Sequence, residues 1–437
     1  MIPILMFVAL FVLVFAGIPI SFSLLATAFV FGLPLFGEKI IGLQLHGMVL
    51  QTATQYLLSA VPPFVLMGCI LERSGIAERL FQVMQLWLGR MPGGLALATI
   101  TMGAIFAAST GIVGAVEVVI GVMTIPVMLQ YRYNRSLIAG TICAGGSLGT
   151  MIPPSLVAVI YASIANMSVG KLYAAMVLPG LLMVGLFLLY IVGRCLLNPQ
   201  DGPPVAREEM DVPLGRKVSL TITGLVPALL LIVAVLGTTM FGIASPTEAA
   251  SVGAFVAVLL TALYRRLSWS VVRDALERTL QINCMILLIV VGGTMFASVF
   301  RLHGGEQLVQ RMVADLGLST FLAILLCMAI VFAAGFILDW VSIVLICLPI
   351  FLPIVTALKI DPIWFATLMV IVIQTSYLTP PMAPSIFYLM SIAPKEITYR
   401  DMCLGVTPFV IMQLATLLAV ALFPALATYL PAQFTGF

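Results

Sequence analysis

The chain has very little charge. Of its 437 residues 8% are Asp, Glu, Lys or Arg and 62% are hydrophobic, whereas a soluble domain carries roughly one quarter charged residues. That excludes a water-soluble globular fold and identifies an all-α polytopic membrane protein, because helices satisfy their own backbone in lipid. The net charge is only +3 and the bases are spread among loops, so nucleic acid is excluded as a partner. Seven cysteines are scattered through or beside apolar runs without a C-x-x-C pair, which reads as core packing, not as a disulfide or metal framework. The two histidines, His46 and His303, have no matching ligand partners. H-E-x-x-H, G-x-S-x-G and G-x-x-x-x-G-K-[ST] are all missing, so neither an enzyme nor an ATPase is expected. The first apolar run, Ile2 to about Leu33, lacks the basic start and short core of a secretory signal and is expected to be a retained helix.

What the chain does have is two long apolar spans interrupted by paired prolines. Gly140 to Ala162 is long enough to cross a bilayer, yet Gly145, Gly146, Gly149, Pro153 and Pro154 sit in its middle. Two consecutive prolines remove two backbone donors and push the preceding residues out of the helical region. The span is therefore two half-helices around an unwound joint, and such a joint at membrane depth belongs beside a polar cavity. Gln374 to Ser385, with Pro380, Pro381 and Pro384, repeats the device 227 residues later. The same offset relates Pro19 to Pro246 and Pro126 to Pro353. With 26 prolines, chance gives roughly 0.7 such pairs, and five are found, of which Pro204 with Pro431 joins a loop to the tail. Gly75 with Gly304 and Gly89 with Gly317 nearly match the offset. Two copies of one unit are expected.

The first repeat spans 1–198, with a re-entrant helical hairpin at about 94–130 and the broken helix at about 136–166. Two pieces, Gly94 to Ala108 and Ile112 to Leu129, are tight for two full crossings of about 20 residues each. Before them, a segment Glu38 to His46 crosses or lies on the surface, a span runs from Met48 to Leu71, and an amphipathic segment ends at Arg90. A helix at Leu172 to Leu197 closes the repeat. The polar stretch 199–217, with Arg207, Glu208 and Glu209, is a linker, and 218–241 is a connecting helix. The second repeat, 242–437, opens with Ser245-Pro-Thr-Glu248, a capping box. It continues through a span at Leu280 to Phe300, a hairpin at about 318–358 with its tip at Gly335 to Trp340, a broken helix at about 362–392, and a last helix at Leu404 to Leu430. With the N-terminus cytoplasmic and the C-terminus periplasmic, 15 of the 20 bases lie inside. The two hairpins then enter from opposite faces, so the repeats are inverted.

Unwound carbonyls and Ser or Thr hydroxyls suit sodium, and helix N-termini facing one cavity suit a carboxylate. Ser109 and Thr110 fit either such a site or a cap on the hairpin's return helix. Asp339 fits either an N-cap or a place beside the cavity. Glu117 is costly in lipid and is expected to face protein or water.

Four runs then carry a family likeness: Gly17-Ile-Pro-Ile-Ser21, Gly149-Thr-Met-Ile-Pro-Pro-Ser155, Ser245-Pro-Thr-Glu-Ala-Ala-Ser251 and Leu378-Thr-Pro-Pro381. Over essentially its whole length the chain resembles the large membrane (M) subunit of the tripartite ATP-independent periplasmic (TRAP) transporters. The resemblance implies a sodium-coupled importer of an organic acid in the bacterial inner membrane. It also implies an elevator motion between scaffold and transport domains, and no cofactor beyond sodium as coupling ion. Implied partners are a small four-helix membrane subunit and a periplasmic substrate-binding protein. A first sodium site would use Ser109, Thr110, Gly149, Ile152 and Pro154, and a second Gly335, Asp339, Thr379 and Pro381. Substrate contacts would fall on Gly111, Ser155 and Ser385. Where many members have Ser-Gly-Ser-Ser at the first tip, this chain has Ser109-Thr110-Gly111-Ile112. That tip and Tyr377 to Ser385 look closer to the branch for 2-oxo acids, mannitol and chloroaromatic acids. The rival readings are an anion/sodium symporter needing no binding protein and an ion channel, although a filter normally repeats around a symmetry axis.

Overall fold

The structure is a computed structural model, and it describes residues 2–111, 113–205, 212–308, 311 and 319–433. Ile112, Arg207, Glu208, Glu209, Gly317 and Leu318 lie outside the described residues. The run expected as one helix from Ile2 to Leu33 is two, α1 (Ile2–Phe15) and α2 (Ile20–Thr54). Gly17 takes φ +86° between them and Pro19 brings no N–H to continue the ladder. Past Glu38 to His46 the chain stays helical, bending at Gly37. The span expected from Met48 to Leu71 is also divided. Residues 48–54 finish α2, Gln55 is extended, and Tyr56–Ala60 form a 3-10 turn. Next comes α3 (Val61–Arg73), which carries Pro in its first turn, where a missing N–H costs nothing. The amphipathic segment is α4 (Ile76–Leu88), which buries Leu80, Phe81, Val83 and Met84.

The first hairpin is α5 (Gly94–Thr110) and α6 (Val113–Gln130), turned at Gly111 with φ +66°. Both halves of the expected broken span are present as α7 (Arg135–Ser147) and α8 (Leu156–Ala165), with a 3-10 turn Leu148–Thr150 and an irregular joint between them. Asn134 starts α7 by accepting from the Ser136 and Leu137 N–H groups at 3.0 and 3.3 Å. After α9 (Val169–Leu197), the first linker residues are pinned to the base of the hairpin. The Asp201 carboxylate receives Arg194 Nε at 2.8 Å and Asn134 Nδ2 at 2.9 Å. Gly93 N–H donates to Gly202 O, and Val205 N–H to Gly89 O, both at 2.9 Å.

The connecting helix starts earlier than expected, inside the stretch assigned to the linker. It is α10 (Leu214–Ile232), running on through a π turn at Val233–Gly237 to Met240. The capping box is present on α11 (Pro246–Leu263), with Ser245 N–H and Oγ both donating to Glu248 Oε2 at 2.8 and 2.7 Å. A 34-residue helix, α12 (Trp269–Leu302), exceeds the span expected from Leu280 to Phe300. The second hairpin is α13 (Thr320–Ala334) and α14 (Trp340–Ala357), and the second broken span is α15 (Pro362–Leu378) and α16 (Pro384–Met390). The helix expected from Leu404 to Leu430 is two, α17 (Tyr399–Leu422) and α18 (Ala425–Gln433), cut at Phe423-Pro424. Among the described residues, eight helical segments are long and apolar enough to cross a membrane.

Packing divides these helices into two groups. α2 lies on α12, α3 on α11 and α12, and α4 on α10, which makes a frame; it meets the other group where α4 packs on α5 and α12 on α14. The other group is built around the broken spans. α5 and α6 pack on α7, α13 on α15, α17 on α7 and α15, and α9 on α17 and α18. Its two halves interlock, since α8 lies against α14 of the other half and α16 against α6. α9 and α17 thus pack with the hairpins, and the Asp201 strap ties the end of α9 there as well.

Candidate functional site

Each hairpin tip meets the joint of its own half, and small residues allow the approach. A Cβ at Gly111 would come within 3.0 Å of the Pro154 carbonyl, on a residue whose positive φ already favours glycine. A Cβ at Gly335 would fall 2.0 Å from Ser376 Oγ. Pro153–Pro154 and Pro380–Pro381 are both cis. Asp361 caps α15 just as Asn134 caps α7, and it stands 227 residues later. Gln374 Nε2 lies 3.4 Å from Ser147 Oγ, again 227 residues away, so equivalent positions of the two halves touch.

Between tips and joints lies a cavity of about 580 Å³. Gly111, Gly114 and Leu156 line it from the first half, Gly335, Asp339, Ser376 and Tyr377 from the second, and Ser21, Arg278 and Gln281 from the frame. Arg278 is the one base and Asp339 the one acid in its described lining. Leu156 and Trp340, the first residues of α8 and α14, both face it. A larger cavity of about 960 Å³ follows farther along α8, α12 and α14, past Ser163, Thr294 and Thr356, and it contains neither tip. Size therefore favours the second cavity and chemistry the first. The smaller one is the candidate site, because both tips and the helices flanking both joints line it. It lies toward the α12 N-terminus.

The residues singled out in the sequence fall in several places. Ser109 Oγ donates to Ile105 O at 2.7 Å and Thr110 Oγ1 to Phe106 O at 3.1 Å, both buried in the last turn of α5. Neither caps the return helix. A hydroxyl donating within its own helix still has lone pairs to offer. Gly149 lies in the 3-10 turn, Ile152 packs near Gly180 of α9, and the Pro154 carbonyl faces the first tip. Thr379 Oγ1 donates to Thr375 O at 2.6 Å. Both readings of Asp339 hold at once: it caps α14 through the Val341 N–H at 3.1 Å, accepts from Ser342 Oγ, and lines the cavity. The Pro381 carbonyl accepts from the Tyr399 hydroxyl at 2.8 Å and keeps a second lone pair. Two residues depart from expectation in this arrangement. Ser155 is buried outside the cavity lining because its hydroxyl turns to Thr150 O at 2.7 Å. Ser385 is likewise buried, donating to Glu117 Oε1 at 2.8 Å. Of the three expected substrate contacts, Gly111 borders the cavity.

Arg278 was not among the expected site residues; its signal is a base within a long apolar helix, and it lines the cavity while holding Glu72 Oε2 at 3.3 Å. Tyr377 gave no comparable signal.

Comparisons with known proteins agree with this architecture. The family model for the tripartite ATP-independent periplasmic transporter, DctM component, matches residues 7–426. The C4-dicarboxylate TRAP transporter large permease protein DctM of Pseudomonas aeruginosa is 33% identical over 387 residues, 87% of each chain. The ectoine/5-hydroxyectoine TRAP transporter large permease protein UehC of Ruegeria pomeroyi is 28% identical over 428 residues, 97% of each. In fold, the chain is similar to the crystal structure of the YdaH transporter of Alcanivorax borkumensis, with a TM-score of 0.65 at 17% identity, covering 94% of this chain and 98% of that one.

Proposed function

This chain belongs to the tripartite ATP-independent periplasmic transporter family as a DctM component, and from that premise we propose that it is the sodium-coupled permease that carries an organic acid inward by an elevator motion. It is a transport protein of the bacterial inner membrane. The observation that carries the reading is the cavity lined by both hairpin tips and by the helices that flank both joints, with Arg278 opposite them. Two helix N-termini, of α8 and α14, turn their positive ends toward it. One base in the described lining matches one carboxylate, which favours a monocarboxylate such as a 2-oxo acid over a dicarboxylate. Sodium would sit at the tips, with Ser109, Thr110, Gly149, Ile152 and Pro154 around one ion and Gly335, Asp339, Thr379 and Pro381 around the other.

The repeated offset, the matched caps and the Ser147–Gln374 contact support two inverted repeats. The cavity lies toward the α12 N-terminus, near Arg265, Arg266 and Arg273, the basic end that positive-inside bias puts in the cytoplasm. This arrangement is then the inward-facing one, with the N-terminus inside and the C-terminus in the periplasm. A small four-helix membrane subunit and a periplasmic binding protein complete the machine. Uptake by the permease and small subunit alone would instead favour a symporter needing no binding protein.

Arg278→Gln tests the assignment. Losing a charged hydrogen bond worth about 1.5–3 kcal/mol raises the half-saturating substrate concentration by about tenfold to a hundredfold, while sodium dependence stays. The change also leaves Glu72 unpaired, so Glu72→Gln is added to the same protein. Weak substrate binding that persists in the double variant assigns the effect to the anion, and recovery to wild-type uptake would assign it to the ion pair.

A further inference from the structure

The mechanism above leaves one buried acid unused. Glu117 on α6 is 0% exposed, and Arg, Lys and His are missing from its neighbours among the described residues. α5 contains no titratable residue. α7 offers Cys143, α15 offers Tyr377 and α16 offers Tyr388. Three charged groups of α3 and α4 are engaged elsewhere: Glu72 with Arg278, Arg73 with Asp274, and Arg79 over the Tyr264 ring. One carboxyl oxygen, Oε1, accepts from Ser385 Oγ at 2.8 Å. The other, Oε2, lies beside the buried Tyr377 hydroxyl, close enough for the two to pair, and neither has a hydrogen bond to any other group.

This face of α6 is fitted to the broken span of the other half. A Cβ at Gly114 would strike the Tyr388 ring at 2.6 Å, and one at Gly121 would meet Ile392 Cδ1 at 2.3 Å. Across α7, a Cβ at Gly146 would come 2.0 Å from Glu117 Cγ. Glycines thus make the slot that the acid fills. A bare carboxylate sealed there without a cation would cost several kcal/mol. In the slot Ser385 Oγ donates directly to Glu117 Oε1, so these two groups are joined by a hydrogen bond with no ion between them.

We infer that Glu117, with Ser385 and Tyr377, is a proton-binding site of the transporting body, separate from the hairpin tips and joined to the substrate cavity through Tyr377. A loaded carboxyl presents an O–H on Oε2, and the orphaned Tyr377 oxygen is its acceptor. Tyr377 also borders the cavity. A proton enters when a hydronium ion of the cavity, admitted to the buried hydroxyl, gives one to the tyrosine oxygen and is left as water while the tyrosine passes its own to Oε2, so that one O–H bond breaks at each donor as another forms. The proton would travel with the body, a consequence that rests on the transporter reading. The chemistry of the site does not.

Infrared difference spectroscopy on the purified complex at neutral pH separates the two. Wild type minus Glu117→Gln should show a protonated-carboxyl stretch that is unchanged by sodium and shifts slowly in deuterium oxide. Tyr377→Phe should keep that band and slow its deuterium shift at least severalfold. Glu117→Gln should keep uptake and flatten its pH dependence. No protonated-carboxyl band in the wild-type difference, or one that sodium removes, overturns the proton site even if transport is normal. Should Glu117→Gln fail to assemble, an unslowed band in Tyr377→Phe overturns the relay.

Discussion

Replacing sodium by potassium on both sides of the membrane abolishes uphill uptake in vesicles that contain the full three-part complex. One ion at each hairpin tip means two ions per cycle. Entering down a tenfold gradient and about 100 mV, they supply about 7 kcal/mol, of which a monovalent anion takes back about 2.3. The remaining 5 kcal/mol or so supports accumulation on the order of several thousandfold. Without the gradient the ratio falls to one or below, because the anion moves against the membrane potential. Undiminished accumulation of labelled substrate in sodium-free, potassium-only buffer contradicts the coupling. Flux that rises linearly with substrate and ignores sodium identifies a channel.

Gly335→Val leaves the protein in the membrane and reduces uptake by about a hundredfold. The space for a side chain at this tip is already taken, since even a Cβ would lie 2.0 Å from Ser376 Oγ and 2.4 Å from Ser376 Cβ. Glycine is required here for room, because its φ of −66° is open to any residue. Ser376 cannot yield easily, as it is buried inside α15 and donates to Ile373 O at 2.8 Å. Overpacking of this kind costs about 1–3 kcal/mol, here charged to the closed contact between tip and joint on which the second ion depends. Gly335→Ala gives a smaller loss, and adding Ser376→Gly to it restores much of the activity. Normal sodium-driven uptake in Gly335→Val, or no rescue of Gly335→Ala by Ser376→Gly, argues against a tip closed on its joint.

Both sites illustrate what a sequence can reveal. Proline acts on its own backbone and on the residue before it, so Pro153, Pro154, Pro380 and Pro381 marked the joints without knowledge of anything distant. Short-range capping was legible for the same reason, as at Ser245 and Glu248. Gly17 with Pro19, and Pro424, cut helices that hydropathy alone joined into single runs; the local signal was present but was outvoted by composition. Long-range partners were not legible. Ser385 looked like a substrate ligand because it follows a joint, and the acid that claims its hydroxyl lies 268 residues away in sequence. The place of α9 and α17 beside the hairpins was not legible either, because an apolar helix does not announce which neighbour it packs against. Arg278 was visible as a charge in an apolar helix, but its place opposite the tips depends on how α12 crosses the cavity.

The claim on which the whole account depends is that hairpins and broken spans move as one body past the frame. Val122 on α6, Phe387 on α16 and Leu280 on α12 are all exposed and accept spin labels without disturbing packing. Pulsed electron resonance on the complex, with and without sodium and saturating substrate-loaded binding protein, reads two distances. The account predicts that Val122 to Phe387 stays fixed, since both belong to the body although they come from opposite halves, while Phe387 to Leu280 acquires a second, well-resolved population. A fixed Phe387–Leu280 distance together with a changing Val122–Phe387 distance would contradict it.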